Sequence, residues 1–139
     1  MKIILATIIF LISSGCSTIA DKRIVGSFVS DKEATISYIR TTGRLTEKQL
    51  QIYSSILGLW TIECDGKYVT GKIGTESYGR VPFNILEQTS EYTIVEMNLN
   101  GETNKSKLIF AEDGYWLESD SVSPHFREKF TRIKSGTND

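Results

Sequence analysis

The chain has few of the residues that build metal centres and nucleophilic sites. Its 139 residues include one histidine, two cysteines and two prolines. A typical zinc site takes three or four His or Cys ligands, so no metal is expected. His125 has no nucleophile motif beside it that would make it part of a catalytic triad. The sequence therefore predicts a protein that is not an enzyme, with no catalytic residue, cofactor or metal.

The chain also has no large excess of charge of either sign. The chain carries 16 Lys and Arg residues against 17 Asp and Glu residues, a formal net charge of −1. The basic residues are scattered rather than clustered on one segment. Because binding to the phosphate backbone needs a basic patch, nucleic-acid binding is not expected.

The N-terminus has the organisation of a secretory signal peptide. Lys2 supplies a positive charge, Ile3–Ile12 is apolar except for Thr7, and small residues lead to Cys16. The apolar run is shorter than the roughly 20 residues that a membrane-spanning helix needs. Residues 1–15 are therefore predicted to be a signal peptide and residues 16–23 a lipidated tether.

The stretch from Leu11 to Cys16 resembles a bacterial lipobox. The resemblance implies acylation of the Cys16 thiol by palmitate-type chains, cleavage before it, and attachment to the membrane of the cell envelope. Ser17 implies the outer membrane, facing the periplasm, if the source is Gram-negative. An ordinary signal peptide cut nearby, or an uncut membrane anchor, remains the alternative. With Cys16 acylated, Cys64 stands alone and no internal disulfide is expected.

A helical hairpin is predicted over residues 30–58, after a first strand at 24–29. Ser30 and Glu33 have the spacing of a capping box, and Gly43 would end the first helix. Thr46 and Gln49 repeat the capping box at the start of a second helix, which continues to Gly58. We expect these helices to plug or cover one end of the domain.

From Leu59 onward the hydrophobic period changes to two, the spacing of half-buried strands. Strands are predicted at 60–64, 67–73, 81–85, 92–99, 106–111, 115–118 and 126–133, with a loop at 74–79 and a polar turn at 100–105. About eight strands in an antiparallel meander can curl into a small barrel. The predicted fold is α+β, mainly β, in one domain at 24–134, followed by a polar tail at 135–139.

This order of elements resembles the calycin group, which includes lipocalins and fatty-acid-binding proteins. Gly26-Ser27-Phe28 stands where that group has Gly-x-Trp, and Arg132 matches the arginine that packs across the first strand. Four further segments resemble small exported bacterial proteins of lipocalin-like type: 30–35, 45–46, 113–116 and 126–130. The resemblance implies a lipocalin-like barrel and brings no activity with it.

Aromatic residues suggest where a ligand could lie. If the barrel is hollow, Trp60, Phe83, Phe110 and Trp116 are candidates for lining a pocket for one apolar ligand; if it is filled, they form the core. Cys64 is expected to be a small buried hydrophobe. Two roles follow: a binding module that contacts another envelope protein, or a carrier of a lipid or other small apolar ligand.

Overall fold

The computed structural model describes residues 18–119 and 126–135, which form eight strands and two helices. The strands are β1 (Gly26–Ser30), β2 (Trp60–Cys64), β3 (Tyr68–Ile73), β4 (Glu76–Gln88), β5 (Tyr92–Leu99), β6 (Glu102–Ala111), β7 (Gly114–Ser119) and β8 (Arg127–Arg132). The helices are α1 (Lys32–Thr42) and α2 (Glu47–Ser54). Cys16, His125 and the tail at 136–139 lie outside the described residues.

The strands form a closed antiparallel barrel. Each strand pairs with the next along the chain, and β8 pairs with β1, where Phe28 lies opposite Arg132 and Ser30 opposite Phe130. The predicted fold is thereby confirmed: a mainly β, eight-stranded meander closed into a small lipocalin-like barrel, with a helical hairpin after the first strand. Closure also removes the exposed edge strands that an open sheet would present.

The loop predicted at 74–79 is wrong, because β4 already begins at Glu76. Gly79 lies within the strand rather than in a loop, with a φ of 76°. The register between β3 and β4 shifts between Thr70 and Lys72, as at a β-bulge, and glycine tolerates the left-handed backbone there. A bulge of this kind typically bends the strand that carries it and increases the local twist.

The polar turn predicted at 100–105 is wrong as well. The turn is only Asn100-Gly101, with φ values of 54° and 86°, and β6 begins at Glu102. Two residues with positive φ make the type of turn that matches the twist of a hairpin. Glu102 pairs with Leu99 at the rim of the barrel, where a polar strand residue can face water.

The first predicted capping box is wrong, and the second is confirmed. The N-cap of α1 is Asp31, whose carboxylate accepts from the Ala34 N–H at 3.0 Å, while Ser30 belongs to β1. At α2 the Thr46 hydroxyl accepts from the Gln49 N–H, and the Gln49 side chain accepts from the Thr46 N–H. Ser30 pairs with Phe130 as the last residue of β1, so the helix is capped one residue later, at Asp31.

The helical hairpin packs on the outside of the barrel at one end. The Thr35 hydroxyl, fully buried, accepts from the Lys129 N–H at 2.9 Å, and Tyr38 packs on Trp116 with 5.2 Å between ring centroids. α1 therefore lies against β8 and the outer face of β7. The hairpin has its own small core of Ile39, Leu50 and Leu57.

The two ends of the barrel differ in what covers them. We call the end where β1 runs into α1 the hairpin end, and the end where β1 begins the N-terminal end. The N-terminal end also carries the β2–β3, β4–β5 and β6–β7 turns and the end of β8. The main core fills the barrel towards this end, around Ile24, Phe28, Tyr115 and Phe130.

Candidate functional site

A small apolar cavity of about 90 Å³ lies inside the barrel. Its walls include inward-facing apolar side chains from six strands. They are Ile62, Val69, Phe83, Val95, Leu108 and Leu117. The interior of an eight-stranded barrel is either filled by its own side chains or holds one small ligand. The cavity here is so small that side chains fill most of the interior.

The polar groups at the cavity are uncharged. They are the half-buried Cys64, the buried Ser106 and the buried Tyr115. Burial raises the pKa of both the Cys64 thiol and the Tyr115 hydroxyl above their ordinary values, so both keep their protons in neutral solution. A group that enters this cavity would meet a neutral, largely hydrocarbon wall.

Of the four aromatic residues predicted to line a pocket, Phe83 lies on this cavity. Trp60 and Phe110 pack against the edge of the core, where Trp60 contacts Tyr78 and Phe110 lies under the Arg23 guanidinium. Trp116 projects from the outer face and packs on Tyr38, because its neighbour Tyr115 takes the inward position. Side chains alternate along a strand, so these neighbours cannot share a face.

An arginine closes the N-terminal end. The Arg132 guanidinium carbon lies 4.7 Å from the centre of the Phe28 ring, and its Nη1 donates to the Val25 carbonyl at 2.7 Å. A Cβ on Gly26 would lie 2.5 Å from that nitrogen, so glycine makes room for the arginine. This is the contact across the first strand that the calycin resemblance implied for Arg132.

The chain before β1 is fastened to the same end. The Gln88 side chain accepts from the Asp21 N–H at 2.9 Å and donates to the Ile19 carbonyl at 3.2 Å. Arg23 pairs with Asp21 and stacks on Phe110, 3.7 Å from the ring centre. Residues 19–23, expected to belong to a tether, therefore pack on the barrel because their backbone finds partners there.

A half-buried carboxyl group near the hairpin end was not among the sequence-predicted site residues. Glu128 lies opposite Leu117 on the inner face of the barrel, and its Oε1 accepts from the Ser30 hydroxyl at 2.5 Å. The same hydroxyl accepts from the Gly58 N–H at 2.9 Å. Ser30 therefore links the end of the hairpin to β8. The sequence contains a signal for this position, because the two-residue period of a strand places Glu128 on the same face as Phe130.

Burial raises the pKa of Glu128, with the Ser30 hydrogen bond acting against the shift. The native state therefore holds this proton more tightly than the unfolded chain. Between the ordinary glutamate pKa and the raised one, the native state binds more protons, so its stability falls as pH rises.

We compare the free energy of unfolding of the wild type with that of Glu128→Gln. As pH rises from the ordinary glutamate pKa to the raised one, the value for the wild type should fall relative to that of the variant. Denaturant unfolding at a series of pH values measures the difference. Glu33→Gln, at an exposed position of α1, is the control and should show no such trend. A difference between wild type and Glu128→Gln that does not change with pH would contradict the assignment.

No group of three or more His, Cys, Asp or Glu side chains that could hold a metal occurs within residues 18–119 and 126–135. In the same part of the chain, none of the helices has the length and hydropathy needed to cross a bilayer. The fold and cavity thus define a small closed β-barrel with a neutral, nearly filled interior. Comparison of the chain with protein-family models, curated proteins and solved structures gives no match.

Proposed function

We propose that this protein is a bacterial lipoprotein, held in the cell envelope through acylated Cys16, that binds another envelope protein through its surface. The sequence from Leu11 to Cys16 supports the anchor, and Ser17 favours the outer membrane in a Gram-negative source. Several buried acyl chains hold a protein firmly, since each buried methylene contributes about 0.8 kcal/mol.

The size of the cavity favours surface binding over carriage of a lipid. Ligand sites usually enclose about 300–1,000 Å³, whereas the barrel interior leaves about 90 Å³. An acyl chain does not fit this space without displacement of core side chains such as Leu108 or Val95.

The surface of the hairpin, in contrast, leaves large apolar side chains in water. Ile52 is 61% exposed, and Ile56 and Leu59 are about half exposed on the following turns. Exposed apolar side chains that lie together are typical of protein interaction sites. We call Ile52, Ile56 and Leu59 the hairpin strip and propose it as the contact surface for the protein partner.

Cross-linking in intact membranes tests this role. A photo-crosslinking residue at position 59 should give a defined adduct, and Ile56→Glu should reduce its yield about tenfold or more, because a charge would be buried in the interface. Gln51→Glu places the same charge on a neighbouring exposed position of α2 and should leave the adduct unchanged. Equal yields from the two variants would refute the hairpin strip as the binding surface.

The cavity favours a second candidate function, carriage of one very small apolar molecule. Benzene occupies an engineered cavity of about 150 Å³ in another protein. The cavity of this barrel would have to enlarge modestly to hold a molecule of that size. Native mass spectrometry of the protein extracted in mild detergent from its own envelope distinguishes the candidates. A retained small mass favours the carrier, and the bare mass of the protein favours the surface-binding role.

A further inference from the structure

The predicted anchor and the barrel are joined by a very short piece of chain. Gln88 holds the backbone at Ile19 and at Asp21, and Arg132 Nη2 donates to the carbonyls of Lys22 and Arg23, each at 3.1 Å. From Ile19 onward the chain is therefore part of the barrel. Cys16 precedes Ile19 by three positions, and an extended chain spans at most about 3.6 Å per residue. Three residues of chain therefore allow at most about 11 Å between an acylated Cys16 and Ile19.

That distance leaves the barrel little freedom relative to a membrane. The polar headgroup region on each side of the hydrocarbon core is about 5–8 Å thick, so three extended residues reach only a few ångströms beyond it. An anchor this short brings the N-terminal end against the lipid surface. The hairpin lies at the other end of the barrel, so the same constraint directs the hairpin strip away from the membrane.

The N-terminal end has an apolar side chain suited to this contact. Ile19 is 86% exposed, although its backbone is fixed by Gln88. A large apolar side chain held at this distance from the anchor would gain from burial at the boundary of headgroups and acyl chains. Ile133, 45% exposed, follows the end of β8 at the same end of the barrel.

Charges at the N-terminal end largely cancel. Three carboxylates there are paired: Asp21 with Arg23, Asp65 with Arg80, and Asp113 with Lys129. The remaining charges at this end also nearly balance, with Lys22, Lys67, Arg132 and Lys134 against Glu87, Glu91 and Glu112. Because no net basic patch results, the contact should not require anionic lipid.

We propose that the N-terminal end of the barrel rests on the lipid headgroups with Ile19 inserted at their boundary, and that the hairpin strip points away from the membrane. This inference rests on the proposed acylation of Cys16. In this orientation the lipid surface is the second partner of the protein, and the exposed hairpin faces the space beyond the membrane.

Fluorescence quenching of the acylated full chain in vesicles tests the orientation. In a Cys64→Ala background, Ile19→Cys or Ile52→Cys carries an environment-sensitive label, and spin-labelled phosphatidylcholine is the quencher. The label at position 19 should be quenched at least threefold more strongly than that at position 52. Addition of phosphatidylglycerol should not change the ratio, because the N-terminal end carries no basic patch.

The outcomes separate the orientation from the anchor. Vesicle-bound protein with equal quenching at both positions, or with stronger quenching at position 52, would overturn the orientation and leave the anchor intact. Protein that does not co-sediment with the vesicles would overturn the anchor and the orientation together. The unacylated domain, residues 17–139, should show little quenching at either position under the proposal; strong quenching would show that the anchor does not set the contact.

Discussion

Replacement of Phe28 with alanine is expected to lower the free energy of unfolding by about 3–5 kcal/mol, the usual cost of truncating a fully buried aromatic side chain. Phe28 has no exposed surface, and its ring centre lies 4.7 Å from that of Tyr115. It also supports the Arg132 guanidinium, which holds the first strand and the preceding chain. The substitution would therefore leave a cavity and weaken the closure of the barrel at the β1–β8 seam.

Urea unfolding followed by circular dichroism measures this cost. Tyr78→Ala is the control, because Tyr78 is 53% exposed and its loss should cost about 1 kcal/mol or less. A loss below about 1 kcal/mol for Phe28→Ala would show that Phe28 is not the centre of the core, and the barrel described above would then be wrong.

Gly114→Ala is expected to destabilise the barrel by about 3 kcal/mol or more, because the new methyl group would meet backbone rather than a flexible side chain. A Cβ at this position would lie 2.0 Å from the Phe130 carbonyl oxygen and 3.1 Å from the Thr131 Cα. Gly114 pairs with Thr131, so β7 and β8 would have to separate where they meet. Overpacking of a core typically costs 1–3 kcal/mol, and a clash with backbone lies at or beyond the upper limit.

Gly71→Ala is the matched control for this substitution. Its Cβ would lie 3.4 Å from the Trp60 ring, an ordinary contact, so stability should change by about 1 kcal/mol or less. Thermal unfolding of both variants gives the comparison. If Gly114→Ala were as stable as Gly71→Ala, the close approach of β7 and β8 would be refuted.

The sequence predicted those parts of the fold that depend on local patterns. The alternation around Trp60, Ile62 and Cys64 predicted strand β2, and Thr46 with Gln49 predicted the start of α2, because each signal lies within a few residues. The first cap was wrong for a non-local reason. Ser30 is held in β1 by pairing with Phe130 and by its bond to Glu128, about a hundred residues away, so Asp31 takes the cap.

The candidate site was less predictable, because a cavity depends on which side chains meet across the barrel. Phe83 lies on the cavity, whereas Trp116 lies on the outer face, and only the full register shows that its neighbour Tyr115 takes the inward position. The fastening of residues 19–23 could not be predicted from sequence either. It depends on Gln88, whose amide becomes a partner only when β4 ends beside the start of β1.

Intact mass spectrometry of the protein extracted from bacterial membranes tests the central claim, that the barrel is the exported part of an acylated lipoprotein. The extracted chain is expected to begin at Cys16 and to carry the added mass of a diacylglyceryl group. In Cys16→Ser that mass should disappear, and the protein should leave the membrane fraction or keep its N-terminal residues. A wild-type chain that begins elsewhere, or that begins at Cys16 without acyl mass, would contradict the lipoprotein assignment and, with it, the proposed orientation at the membrane.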